Sequence, residues 1–225
     1  MPDKSLPEWE LLLSSAAHLQ KIVPAAVLVG GTAAATYAHH RVSLDHDHVL
    51  PDLKERFDEI LADLESVAGW QTARVRRPVL ILGSLDGIET GVRQLIRSEP
   101  LETTTIEAEG VVLTVPTKEE MFRVKAVLAL RRNATRDYLD LAAMHGVLGD
   151  DGVGCALQKF DFYYPQPNGA SPLQQLANQL ANPLPFDLDD TDLSQYKHLE
   201  PRFQEWSHVC DICAHIAIGI IHPML

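Results

Sequence analysis

Asp45 and Asp47, with His46 between them, are the residues of this chain best suited to chemistry. On an extended backbone successive side chains point to opposite faces, so the two carboxylates share one face and His46 and His48 share the other. Two carboxylates side by side serve to hold a divalent cation between a protein and a polyphosphate. Twelve residues separate this pair from Gly30-Gly31-Thr32, which directly follows the apolar run Val27, Leu28 and Val29. Where a helix begins after such a turn, free backbone N–H groups attract phosphate oxygens. Taken alone, Gly-Gly after a strand is a tight turn, and paired acids are a solvated strand edge. Together, a strand, a glycine turn, a helix and a second strand bring both to one end of one sheet. Such an arrangement looks like a site for handling a metal-bound polyphosphate, as in nucleotide transfer or polymerisation.

The elements that must position this edge can be read along the chain. Residues 6–22 read as a helix with Ser5 as cap, Pro7 and Glu8 in its first turn, and Leu12, Ala16, Leu19 and Val23 as its buried stripe, ended by Pro24. Residues 26–50 supply the strand, the glycine turn, a small-residue helix and the strand carrying Asp45 and Asp47. Asp52 with Glu55 forms a capping box ahead of Leu53, Phe57, Ile60, Leu61 and Leu64, a helix ending near Gly69. Strand-like runs follow at 70–76, 79–82 and 88–96, with a hairpin signal at Asp86-Gly87. A second hairpin joins 103–107 to 111–115 around Glu109-Gly110. From Thr117, which forms a capping box with Glu120, the pattern is helical through Met121, Val124, Leu128 and Leu130. Thr135 caps a further helix through Met144, and residues 153–225 are mostly helical with breaks at 165–169 and 182–185. The expected fold class is α+β: a mixed β-sheet core in residues 1–116 with helices on one face, then a mostly helical region, 117–225, packed against it.

The chain has 225 residues, enough for a full core. With 46% hydrophobic and 22% charged residues it has an ordinary globular composition, and no segment predicts a membrane span or a secretory signal. A cytoplasmic location is the expectation. The net charge of -12 argues against broad, non-specific nucleic-acid binding. Three cysteines do not suggest a disulfide framework in that compartment.

Gly30-Gly31-Thr32, the spacing to Asp45-x-Asp47, and His40-Arg41-x-Ser43 just before the acids resemble the polymerase-β-like nucleotidyltransferase superfamily. A second block agrees: Pro116-Thr117, Lys125, Arg132, then Arg136-Asp137-x-x-Asp140-Leu141. Both are similar to the abortive-infection toxin branch of type IV toxin–antitoxin systems, over residues 25–145. The resemblance implies an Mg²⁺-dependent enzyme that moves an NMP from an NTP to an acceptor hydroxyl, with tRNA as acceptor and a cognate antitoxin as partner. It implies that Gly30, Gly31 and Thr32, with Arg41 and Ser43, hold the nucleotide, and that Asp45 and Asp47 ligate Mg²⁺. Glu89 stands where a third acidic ligand is expected, or is a solvated strand glutamate. Lys125 would stabilise departing pyrophosphate, and Asp137 would orient Lys125 or help deprotonate the acceptor. Arg132, Arg136 and Asp140 lie at helical spacing and can equally form a surface ladder of ion pairs.

Other patterns carry weaker implications. His46 and His48 point away from the acids and read as packing or hydrogen-bonding residues. Cys210-x-x-Cys213 with His208 and His215 has metal-ligand spacing, but in an apolar helical segment where cysteine is usually a small buried residue. The acids from Asp187 to Asp192 read as a cap for a helix beginning near Leu193. The acidity of the chain leaves only Arg74, Arg76, Arg77 and the 123–136 block as a basic path, which favours a protein or small-molecule acceptor as the second reading. A non-catalytic nucleotide-binding or antitoxin-interaction protein is a third.

Overall fold

In the computed structural model, residues 9–222 are described. The chain divides into two compact units, one formed by the chain up to Thr36 and Ser43–Pro116, the other by Tyr37–Val42 and the chain from Thr117 onward. The architecture is mixed α+β. No described helix is long and apolar enough to cross a membrane.

The first unit is built on helix α1 (Trp9–Ile22), strand β1 (Val27–Val29), helix α2 (Gly30–Ala38, which runs on into the second unit), strand β2 (His46–Leu50), helix α3 (Phe57–Glu65), and strands β3 (Trp70–Arg76), β4 (Leu80–Leu85), β5 (Ile88–Gln94), β6 (Thr103–Ala108) and β7 (Val111–Pro116). Five strands form one sheet in the order β1-β2-β5-β4-β3, with β2 and β5 parallel and the other neighbours antiparallel. Strands β6 and β7 make a separate hairpin, hooked to α1 by the Gln20 amide, which donates to Thr114 O at 2.8 Å and accepts from Thr114 N at 2.9 Å. Both expected hairpin turns are present. Asp86-Gly87 and Glu109-Gly110 have positive φ at both positions, the backbone a two-residue turn of matching twist demands.

The core lies where the apolar stripe of α1 meets the inward face of the sheet. Leu19, Val23, Ile60 and Leu64 pack with Leu50, Ile81, Leu85 and Val92, which puts α1 and α3 on one face. The expected start of α1 lies outside the described residues. One local expectation fails: Asp52 and Glu55 form no capping box, and α3 begins only at Phe57, without a side-chain cap. Asp52 instead closes the preceding turn, its carbonyl accepting from Arg56 N at 3.1 Å. The helix signal was offset because a hydrogen-bonded turn competes for the same groups.

The second unit contains helices α4 (Lys118–Arg132), α5 (Thr135–Leu157), α6 (Phe160–Tyr163), α7 (Pro172–Ala181) and α8 (Trp206–Ile221). Thr117 caps α4 through Glu120 N, but the Glu120 carboxylate turns to Arg123 instead of completing the box. Asn133 ends α4 in the left-handed conformation. Thr135 does not cap α5; its N–H and hydroxyl both donate to Asp187 Oδ1, at 2.7 and 2.8 Å, so a distant acid caps this helix. Asp192 caps only a short 3-10 turn, Leu193–Gln195. Phe122, Tyr138, Phe160, Leu176, Leu180 and Phe203 fill this unit's interior.

Gly83 in β4 offers a test of sheet packing. A Cβ there would lie 2.5 Å from Gln71 O and 2.7 Å from a ring carbon of Trp70. Gly83→Ala is expected to destabilise the first unit by about 1–3 kcal/mol, read as a lowered midpoint in chemical denaturation.

Candidate functional site

Strand β1 leads directly into α2, and Val29, the last residue of β1, pairs with Asp47 on β2. Gly30 therefore opens α2 beside Asp47, with φ at +79°, where glycine alone is relaxed. A Cβ on Gly30 would lie 3.5 Å from Asp47 Cβ and 3.7 Å from its Oδ2, so bare backbone at a helix N-terminus faces this carboxylate. Asp45 immediately precedes β2 instead of lying within it. Two hydroxyls secure it: Thr32 Oγ1 donates to Asp45 O at 2.5 Å, and Ser43 Oγ donates to Asp45 Oδ1 at 2.9 Å. Thr32, expected to hold phosphate, thus has its buried hydroxyl engaged in pinning the glycine turn to the approach of β2.

The alternation along β2 is as expected. Asp45 is exposed and Asp47 half-buried, whereas His46, His48 and Leu50 are fully buried. His46 is wedged between Ser15 Oγ at 3.0 Å and Thr90 Oγ1 at 2.9 Å, and burial holds its pKa down near 4 despite the nearby Asp45 charge. Burial, then the neighbouring His46, push His48 well below the usual histidine range, and a backbone interaction with Ala16 opposes them without outweighing them. Both imidazoles are neutral spacers beneath the acids.

Strand β5 completes this edge. In the parallel ladder His46 pairs with Thr90 and Asp47 with Gly91, so Glu89 falls beside Asp45 on the acidic face. The Asp45, Asp47 and Glu89 oxygens do not all lie within 4.8 Å of one another, as those of a preformed three-acid nest would. Like charges separate, and each aspartate has a lateral partner: Ser43 for Asp45, and Arg93 Nε, at 3.3 Å, for Asp47. Arg93 and Gly91 escaped the sequence reading. A Cβ on Gly91 would sit 3.3 Å from Asp47 Oδ1 and 2.6 Å from a Leu82 methyl, and a glycine inside a strand was the available signal. The donor set on this face, carboxylates with a glycine backbone beside them, is the hard-oxygen environment that suits Mg²⁺.

The remaining predicted residues lie in the second unit, with partners that differ from expectation. Asp140 is not part of a surface ladder but is fully buried. It receives Arg41 in a bidentate fork (Nε 2.8 Å, Nη2 3.1 Å), Lys125 Nζ at 2.6 Å and His40 Nε2 at 2.7 Å. Burial alone would raise its pKa, but the Arg41 and Lys125 charges and the His40 hydrogen bond outweigh it and hold the carboxyl well below the usual range. Lys125 is therefore oriented by Asp140, not by Asp137. Asp137 is itself buried and takes a fork from Arg132, at 2.6 and 3.0 Å, so Arg132 is a specific partner and not one rung of a ladder. Arg41, expected on a nucleotide, is nine-tenths buried against Asp140. Helical spacing could not reveal this, because His40 and Arg41 lie about a hundred residues upstream.

The Cys210–Cys213 pattern gathers no metal-ligand group with His208 and His215 among the described residues. Cys213 is buried, and burial raises its thiol pKa, the adjacent Cys210 adding to the shift.

No protein-family model matches this chain. Over 128 residues, 56% of the chain, it is 29% identical to the mycolic acid-containing lipids exporter MmpL11 of Mycolicibacterium smegmatis, and equally to the heme uptake protein MmpL11 of Mycobacterium tuberculosis. The matched stretch is 13% of the length of those relatives. Among solved structures, a candidate nucleotidyltransferase from H. pylori superposes with a TM-score of 0.52 at 14% identity, covering 93% of this chain and 96% of that one. The chain thus shares its fold with that protein.

Asp140 makes the sharpest prediction from this geometry. Asp140→Asn leaves Lys125 and Arg41 as buried, under-compensated cations, and is expected to cost about 3–5 kcal/mol in denaturant titration. The depressed carboxyl stabilises the fold above the unfolded-state aspartate pKa, and that contribution is lost as pH falls through the folded-state value. In Asp140→Asn this part of the acid dependence should disappear.

Proposed function

We propose that this chain is an Mg²⁺-dependent nucleotidyltransferase that moves an NMP from an NTP to an acceptor hydroxyl and releases pyrophosphate. One observation carries the reading: the bare Gly30 backbone at the start of α2 abuts the Asp47 carboxylate, while Thr32 and Ser43 tie Asp45 to the same edge. The shared fold with the H. pylori protein supports the same class of chemistry.

In this reading the N–H groups of Gly30 and Gly31 take phosphate oxygens, and the positive φ at Gly30 turns that backbone toward the acids. Asp45 and Asp47 would hold Mg²⁺, with Glu89 as a third acid of the same face; the ion supplies charge neutralisation and alignment for in-line attack. Thr32 positions the acidic edge through the Asp45 carbonyl, and Ser43 fixes the Asp45 rotamer. The family resemblance assigns Lys125 to the departing pyrophosphate and Asp137 to the acceptor, and Asp140 and Arg132 are the ion-pair partners that hold these two side chains in place. By the same resemblance the biological role is that of the toxin in a toxin–antitoxin or phage-defence pair in the cytoplasm, with tRNA as acceptor and the antitoxin as protein partner.

The net charge of -12 favours a second reading of the acceptor, a protein side chain or a small molecule. A non-catalytic nucleotide-binding or antitoxin-interaction protein is the alternative of a different class.

The test is transfer of label from α-labelled NTPs, with Mg²⁺, onto separate pools of total RNA and total protein. Label is expected in RNA, with loss of roughly 10²-fold or more in Asp45→Asn and in Asp47→Asn. Label confined to protein would replace tRNA by a protein acceptor. Tight NTP binding by calorimetry without turnover, unchanged in Asp45→Asn, would identify a binding module instead.

A further inference from the structure

Away from the acidic edge, three side chains of the second unit converge on one point. His145 and Asp150 belong to α5 and His215 to α8, 65 residues further along the chain. Asp150 Oδ1 accepts from both His145 Nε2 and His215 Nε2 at 2.9 Å, and the ligand atoms of all three residues lie within 4.8 Å of one another. The two imidazole rings stand edge-on, centroids 5.5 Å apart and planes at 78°, so their Nε2 atoms approach the carboxylate from different directions. This is the sole such gathering of three histidine, cysteine or acidic side chains among the described residues.

The backbone is shaped to produce it. In a continuous α-helix, positions five apart point about 140° away from each other, so His145 and Asp150 would not meet. Gly149 breaks α5 with φ 66° and ψ 178°, a conformation that favours glycine, and this turns Asp150 back toward His145. A Cβ on Gly149 would meet nothing within 4 Å, so packing does not require the glycine; the turn does.

We propose that His145, Asp150 and His215 form a binding site for a borderline divalent transition-metal cation such as Zn²⁺, joining α5 to α8. Two imidazoles and one carboxylate are a donor set for such an ion, and three protein ligands leave a fourth position for water. Donor atoms on a tetrahedral Zn²⁺ stand about 3.3 Å apart, so the two histidine–carboxylate separations of 2.9 Å need only a small opening. His145 is mostly buried and Asp150 and His215 are more than half exposed, so the ion can enter from solvent. The site involves none of the residues assigned to nucleotidyl transfer and does not depend on that reading. It also differs from the Cys210–Cys213 pattern, sharing only the neighbourhood of His215.

The full-length protein, freed of metal by chelation, would be titrated with CoCl2 and followed by visible absorption, then with ZnCl2 by calorimetry and thermal denaturation. The expected result is one equivalent of Co²⁺ with d–d bands and no thiolate charge-transfer band, displaced by Zn²⁺, with a rise in Tm. His145→Ala and His215→Ala should abolish that equivalent, and Gly149→Ala should weaken it while retaining all three ligands. Circular dichroism of each variant confirms that it folds. Absence of Co²⁺ bands, bands unchanged in both histidine variants, or thiolate charge-transfer bands that vanish in Cys210→Ser would each overturn the site.

Discussion

A carboxylate inside or at the edge of a fold needs either water or a cation beside it, and this chain uses both solutions. At the mouth of β2 the alternation of the strand turns Asp45 and Asp47 outward and buries His46 and His48 beneath them. Were the register shifted by one residue, two charged groups would enter the core and two imidazoles would take the edge. Asp140 follows the other route: it is buried, and Arg41, Lys125 and His40 surround it.

These two solutions place different demands on the chain. The open acids need only local structure, because Gly30, Thr32, Ser43, Asp45 and Asp47 all fall within eighteen residues. A glycine with positive φ, one antiparallel pairing and two hydroxyl hydrogen bonds assemble them. The buried acid needs partners from distant stretches. Its position in the core follows from the packing of α4 with α5 and from residues 37–42 belonging to the same compact unit.

The neutral histidines under β2 show how packing can override composition. His48 is fully buried, a costly position for a polar side chain, and has only a backbone interaction with Ala16 to offset it. Its ring stands edge-on to that of His46, at 5.2 Å between centroids, and fills its space in the core as an apolar side chain would.

What could be read directly from the sequence was whatever depends on neighbours along the chain. The strand alternation around Asp45 and Asp47, the glycine turn, the Asp86-Gly87 and Glu109-Gly110 hairpins, and the stripe of α1 all rest on periodicity or on φ preferences. The parallel register of β5 against β2 is set by tertiary pairing; Glu89 was expected at the acidic edge from the family resemblance, whereas Gly91 and Arg93 had only a lone strand glycine as their signal. The partners of Asp140, the capping of α5 by Asp187 and the meeting of His145 with His215 could not be read at all. Lys125 apart, which precedes Asp140 by only fifteen positions, they join residues from about fifty to a hundred positions apart, and such contacts are chosen by how whole elements pack, which no short-range pattern encodes.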